Sequence, residues 1–116
     1  PVLKSSDLIT LDIEFNISWD EIESLRKAAS IYNLTDLVFK SENDQISLYL
    51  RDSENETSND YCQTIAGETT GDYELVLKIE HIRLQPGDYH VKVSKHLVSE
   101  WRHTRLDLVY YIALEF

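Results

Sequence analysis

Apolar and polar residues alternate through 8–17 (LITLDIEFNI), with Ile9, Leu11, Ile13, Phe15 and Ile17 on one side and Thr10, Asp12, Glu14 and Asn16 on the other. A period of two marks a strand with one face buried. The period then changes. Ser18 and Glu21 have the spacing of a capping box, in which each side chain satisfies the other residue's free backbone N–H. Ile17 and Ile22 flank that start as a hydrophobic staple. Ile22, Leu25, Ala29 and Tyr32 recur at helical spacing and predict a buried stripe, leaving Glu23, Arg26, Lys27 and Ser30 on the open face. Asn33 can end the helix in the left-handed conformation.

Beyond the helix the period returns to two. Residues 36–41 (DLVFKS) and 45–52 (QISLYLRD) read as a hairpin about Glu42-Asn43-Asp44. A polar, acidic loop at 53–60 (SENETSND) leads to a strand at 61–66, and a loop with two glycines spans 67–72. Tyr73, Leu75, Leu77 and Ile79 alternate in the next strand, 73–79. A short helical turn is expected over Glu80 to Gln85, stopped by Pro86-Gly87. Strands at 88–94, 98–103 and 107–115 complete the chain. The order is therefore strand, helix, three strands, and then the same again. Two such units can stack two antiparallel sheets and place both helices on one face, an α+β domain with an internal pseudo-repeat. Sheet edges left open in such a domain can recruit strands from another chain.

The 116 residues carry 11 Lys+Arg and 21 Asp+Glu, a net charge of −10. That excess lies wholly in residues 1–72, which hold 5 basic and 15 acidic side chains; residues 73–116 hold 6 of each. The acidity argues against a surface that is basic throughout, the usual footprint of a nucleic-acid binder. It leaves room for a local basic stripe. Arg26 and Lys27 lie on the open face of the first helix, and Lys78, His81 and Arg83 surround the second. Helices sharing one layer would join these groups into a surface that grips phosphates without reading bases. Ordinary solvated helix residues would leave the same pattern.

Catalytic signals are weak. Three glycines, Gly67, Gly71 and Gly87, form neither a dinucleotide fingerprint nor a phosphate loop. His81, His90, His96 and His103 lack metal-ligand spacing, although a hairpin could bring His90 and His96 together. Cys62 is the single cysteine, which excludes an internal disulfide. No apolar run approaches the roughly 20 residues of a membrane-crossing helix. Neither a metal nor a cofactor is expected, and an enzyme is not.

The run YELVLKIEHIRLQPGDYHVKV (73–93) and the ending LVYYIALE (108–115) resemble the C-terminal domain of the DNA polymerase sliding clamp of T-even-like bacteriophages. The layout from Ser18 to Leu50, a capped helix with basic residues in its second half and then two strands, is similar as well. The 53–60 and 95–106 regions match poorly. The resemblance implies a processivity factor: a ring, a homotrimer at full length, that encircles duplex DNA and tethers the replicative polymerase in DNA replication. Its helices would line the hole, with Arg26, Lys27, Lys78, His81 and Arg83 toward DNA. Its partners would be DNA, the polymerase, an ATP-hydrolysing clamp loader and copies of itself, in the cytoplasm of the infected bacterial host. Because a complete subunit is about twice this long, residues 1–7 are expected to be the remnant of an interdomain connector and 8–116 the C-terminal clamp domain. A pocket for a partner's tail peptide is implied on the outer sheet side near that connector, with Val2, Leu3, Val109, Tyr111 and Ala113 as its candidate lining.

Two other readings stand beside this one. An acidic protein-interaction or structural assembly module would use the same open edges and scatter its cations over different faces. A small hydrolase would need carboxylates converging in a concave site.

Overall fold

The computed structural model describes residues 12–52 and 61–115. Its strands are β1 (Ile13–Ile17), β2 (Asp36–Glu42), β3 (Gln45–Arg51), β4 (Tyr61–Ile65), β5 (Gly67–Thr69), β6 (Tyr73–Lys78), β7 (Tyr89–Ser94), β8 (Val98–His103) and β9 (Val109–Ala113). Helix α1 spans Trp19–Tyr32, and a single 3-10 turn spans Ile79–His81. The strands form two antiparallel sheets, β5-β1-β7-β8-β9 and β4-β3-β2-β6. Within this arrangement β1 sits among strands from the second half of the chain, while β6 pairs with β2 from the first half. The last residues tie the sheets together, because the Glu115 N–H donates to the Val76 carbonyl at 2.7 Å.

Helix α1 starts and stops where its caps dictate. Ser18 Oγ accepts from the Glu21 N–H at 3.2 Å, and the Ser18 N–H donates to Glu21 Oε1 at 2.9 Å. Asn33 takes the left-handed conformation (φ 55°) and donates its N–H to the Ala29 carbonyl. The hairpin β2–β3 closes through Asn43 and Asp44, both at positive φ (54° and 64°), the primed turn that suits the twist of paired strands.

One core lies between these layers. Ile22, Leu25, Ala28 and Ala29 of α1 join Ile13, Phe15, Leu37, Phe39, Leu48, Leu77, Tyr89, Val91 and Trp101 from both sheets. Phe39 is central, its ring 5.9 Å from Phe15 and 6.4 Å from Trp101. The buried indole donates Nε1–H to Ser99 Oγ at 2.9 Å, and Ser99 donates onward to the Ile112 carbonyl at 2.9 Å. No polar atom of that chain is left unmet, so burial there costs little.

Several expectations are corrected. The two-helix layer fails: one helix is present among the described residues, and only a 3-10 turn occupies the expected site of the second. The reason is visible in 82–85, where Ile82 and Leu84 are buried and Arg83 and Gln85 exposed. That alternation anchors an extended segment, and Pro86 disfavours helical conformation in the residue before it. The expected repeat of strand, helix and three strands is therefore not met: the second helix is missing, and the extra strand β5 leaves sheets of five and four strands. Tyr32, expected in the buried stripe, is 55% exposed; the buried stripe of α1 is Ile22, Leu25, Ala28 and Ala29. Residues 67–69, expected as loop, form the short strand β5. The first part of the 8–17 strand and the 1–7 connector lie outside the described residues.

Candidate functional site

The segment 79–88 takes the place beside α1 where a second helix was expected. At one end the Ile79 N–H donates to the Thr35 carbonyl at 2.9 Å, just past the C-terminus of α1. At the other end the N–H of Trp19, the first residue of α1, donates to Asp88 Oδ1 at 2.9 Å. The two elements therefore run antiparallel. Arg26, Ala29, Ser30, Leu34 and Ile79 border a shared cleft of about 210 Å³.

This arrangement sorts the candidate cations. Arg26 and Lys27 are exposed on α1, and His81 and Arg83 are exposed on the adjoining segment. Arg26 Nη1 lies 3.7 Å from Glu23 Oε1, a solvated i,i+3 pair worth a few tenths of a kcal/mol at most. Arg83 Nε donates to the Glu80 carbonyl at 3.2 Å, which orients the guanidinium. His81 stands 3.9 Å from the Glu80 carboxylate. Asp20, Glu23, Glu80 and Asp88 are exposed on the same two elements as Arg26, Lys27 and Arg83, so four acids face three cations there and the surface carries no net positive charge.

Lys78 does not join them. It sits in β6 on the side facing away from the core, where its Nζ donates to Asp36 Oδ1 at 3.0 Å. That hydrogen bond to Asp36 raises the lysine's pKa, against the opposing effect of burial. Asp36 is 4% exposed, accepts a hydrogen bond from Thr35 Oγ1 at 3.1 Å and lies 3.6 Å from Arg51 Nε. The charge of Lys78 is thus engaged within the sheet. Periodicity gave no sign of this cluster, since a strand pattern does not tell a buried acid from a solvated one.

The row Val109, Tyr111 and Ala113 lies on the outer face of β9, with Tyr111 50% exposed. Val2 and Leu3 lie outside the described residues. Across from Tyr111 in register is Glu100, 1% exposed, whose carboxylate makes no hydrogen bond among the described residues and lies 3.6 Å from Arg102 Nη2. This buried acid was missed, because Glu100 falls on the polar side of its strand's alternation.

Two further polar groupings lie on the outer sheet faces. Lys40, Glu42, Gln45, Ser47, Tyr49 and Cys62 line much of a cleft of about 370 Å³. Tyr49 donates to Glu74 Oε1 at 2.8 Å, and burial, then that bond, pushes its pKa up to about 12. Cys62 is exposed beside Tyr49 across the β3–β4 pair. On the other sheet, His90 bonds the Glu14 carboxylate through Nε2 and lies 2.8 Å from Asn16 Oδ1 through Nδ1. His90 is thus engaged with strand β1 and not with His96. Among the described residues, no cluster of three or more His, Cys, Asp or Glu is placed to hold a metal ion. No helix among them is long and apolar enough to cross a membrane.

No protein-family model matches the chain, and no curated protein matches its sequence.

Proposed function

We propose that this chain is a non-enzymatic domain of a DNA sliding clamp, the family its sequence resembles. The observation that carries the reading is the pairing of α1 with the 79–88 segment, which sets Arg26, Lys27 and Arg83 on two adjoining elements of an otherwise acidic protein. In a ring, that surface would face the duplex and meet phosphates without reading bases, as sliding requires. The acidic remainder would keep DNA off the outer wall. Strand β4 has one partner, β3, among the described strands, and in a ring its other edge would pair with a neighbouring subunit. A closed ring holds polymerase near its template by topology, which raises the local concentration without a tight contact. The clamp loader would supply ATP hydrolysis. The exposed row at Tyr111 is the candidate seat for the polymerase's tail peptide. The site of action would be the cytoplasm of the infected bacterial host.

The test uses the complete clamp loaded on circular duplex DNA. Retention on the circle and loss on linearisation are expected. Neutralising Arg26, Lys27 or Arg83 by Gln should each reduce the salt slope of DNA association by about 0.9. The chain alone should bind duplex weakly, with Kd roughly 10⁻⁴ M or weaker at physiological salt. Tight, sequence-specific binding by the chain alone would overturn the proposal.

An assembly module without a DNA role is the second reading. It is favoured by Ile31 (65% exposed) and Tyr32 (55% exposed) at the end of α1 and by the pairing of Arg26 with Glu23. It predicts salt-independent self-association and no change in any DNA property on removing Arg26.

A further inference from the structure

Two connections far apart in sequence meet around one imidazole. His103 ends β8 and is 7% exposed. Its Nδ1 lies 3.0 Å from the backbone nitrogens of both Arg105 and Leu106, in the loop leading to β9. Its Nε2 lies 3.0 Å from the carbonyl oxygen of Pro86. Backbone N–H groups only donate, and a carbonyl oxygen only accepts. These contacts are consistent with a single state of the ring: neutral, with its proton on Nε2.

The surroundings hold the ring in that pose. The imidazole stands edge-on to Tyr89, with centroids 5.1 Å apart and planes at 74°. Tyr89 in turn donates its hydroxyl to the Gln85 carbonyl at 2.6 Å, and the Gln85 N–H donates to Tyr110 Oη at 3.2 Å. Gly87, at φ 146°, provides the space the ring needs, because a Cβ there would overlap Nε2 and Cε1 of His103. The Thr104 N–H reaches the Asp88 carbonyl at 3.0 Å, so the loop and the turn touch at a second point.

We infer that His103 is a positioning residue, a neutral imidazole latch that joins the 104–107 loop to the Gln85–Gly87 turn and thereby fixes the course of residues 82–88 beside α1. That segment lies in no sheet ladder. It is held by the burial of Ile82 and Leu84, by the Asp88 bond to Trp19, by the two tyrosines and by this ring. The consequence for DNA, through Arg83, rests on the clamp reading; the latch itself does not.

The first experiment measures the ring nitrogens of His103 by ¹⁵N NMR on the chain at neutral pH. A protonated Nε2 and an unprotonated Nδ1 are expected. A proton on Nδ1 overturns the inference. The second compares amide hydrogen exchange in His103→Phe and His103→Asn. Phe keeps a ring against Tyr89 and removes both nitrogens. The Arg105, Leu106 and Gln85 amides should then exchange roughly tenfold faster or more, the last although His103 never touches it. Asn places Oδ1 where Nδ1 stood and cannot reach Pro86, so it should restore Arg105 and Leu106 and leave Gln85 fast. Unchanged Gln85 exchange in a folded His103→Phe chain overturns the coupling. If that variant does not fold, slow Gln85 exchange in His103→Asn does the same. Loosened exchange at Gln85 with unaltered DNA retention by the complete clamp would support the latch and count against Arg83 as a DNA contact.

Discussion

Replacing Lys78 with Met separates a structural cation from a DNA-facing one. Met keeps most of the apolar stem and removes the ammonium that donates to Asp36 at 3.0 Å. A hydrogen bond involving a charged partner contributes roughly 1.5–3 kcal/mol. Two features lower the figure here. The Lys78 side chain is 29% exposed, so solvent screens it, and Asp36 keeps the Thr35 hydroxyl and Arg51 at 3.6 Å. A loss of about 1–2 kcal/mol follows, read as a lower urea midpoint with an unchanged m-value. The pH dependence has a definite sign. Asp36 raises the Lys78 pKa, so this stabilisation is complete below the unfolded lysine value, about 10.4, and fades as pH climbs through the folded one. The gap between wild type and Lys78→Met should therefore be constant from neutral pH to about 10 and close at higher pH. In the complete clamp the salt slope of DNA association should not move. Unaltered stability with a reduced salt slope would show that the ammonium faces DNA and that its bond to Asp36 carries nothing.

Ser18→Ala removes one half of the capping box and should cost about 1 kcal/mol, seen as a lower melting temperature by circular dichroism at 222 nm. Tyr111→Ala should change stability by less than about 0.5 kcal/mol, since the side chain is half exposed. In the complete clamp the same change should weaken a polymerase tail peptide by about 1–3 kcal/mol in calorimetry if Tyr111 anchors it. In a spectrophotometric alkaline titration, Tyr49 and Tyr89, both pushed up to about 12, should ionise after an ordinary tyrosine, and Tyr49→Phe should remove part of that late step. Burial is the leading cause for both, so unfolding in urea should merge the late step with the rest.

Local signals were legible wherever they were strong and self-contained. The capping box, the left-handed Asn33 and the Asn43-Asp44 turn depend on neighbours within a few residues, and each formed as its sequence implied. The 79–88 segment carries two conflicting signals: Ile79 and Ile82 have helical spacing, whereas Ile82 and Leu84 alternate as on a strand. Its outcome was decided by the room left beside α1 and by Pro86. The neutralisation of Lys78 depends on Asp36, forty-two residues away in sequence, brought into register by the β2–β6 pairing. Long-range register of this kind has no signature in one strand. Of the candidate surface, the exposure of Arg26 and Lys27 could be read from their face of the first helix, whereas His81 and Arg83, expected around a second helix, are exposed on the 3-10 turn and extended segment that stand there. The acids interspersed with them became significant only once two separate elements were placed side by side.

The placement of β1 and β6 bears on how the chain reaches this structure. β1 finds its ladder partners only after β5 and β7 exist, and β6 must return to β2 across more than thirty residues. Neither half can complete a sheet from its own described strands, so a chain divided between β4 and β5 would separate β1 from both of its ladder partners, β5 and β7. Partial structures have little native surface to stabilise them, and acquisition of the native state should be slow and all-or-none. The same interlock protects the finished domain: peeling β1 away requires breaking ladders on both of its edges at once, which makes it one of the last parts to open.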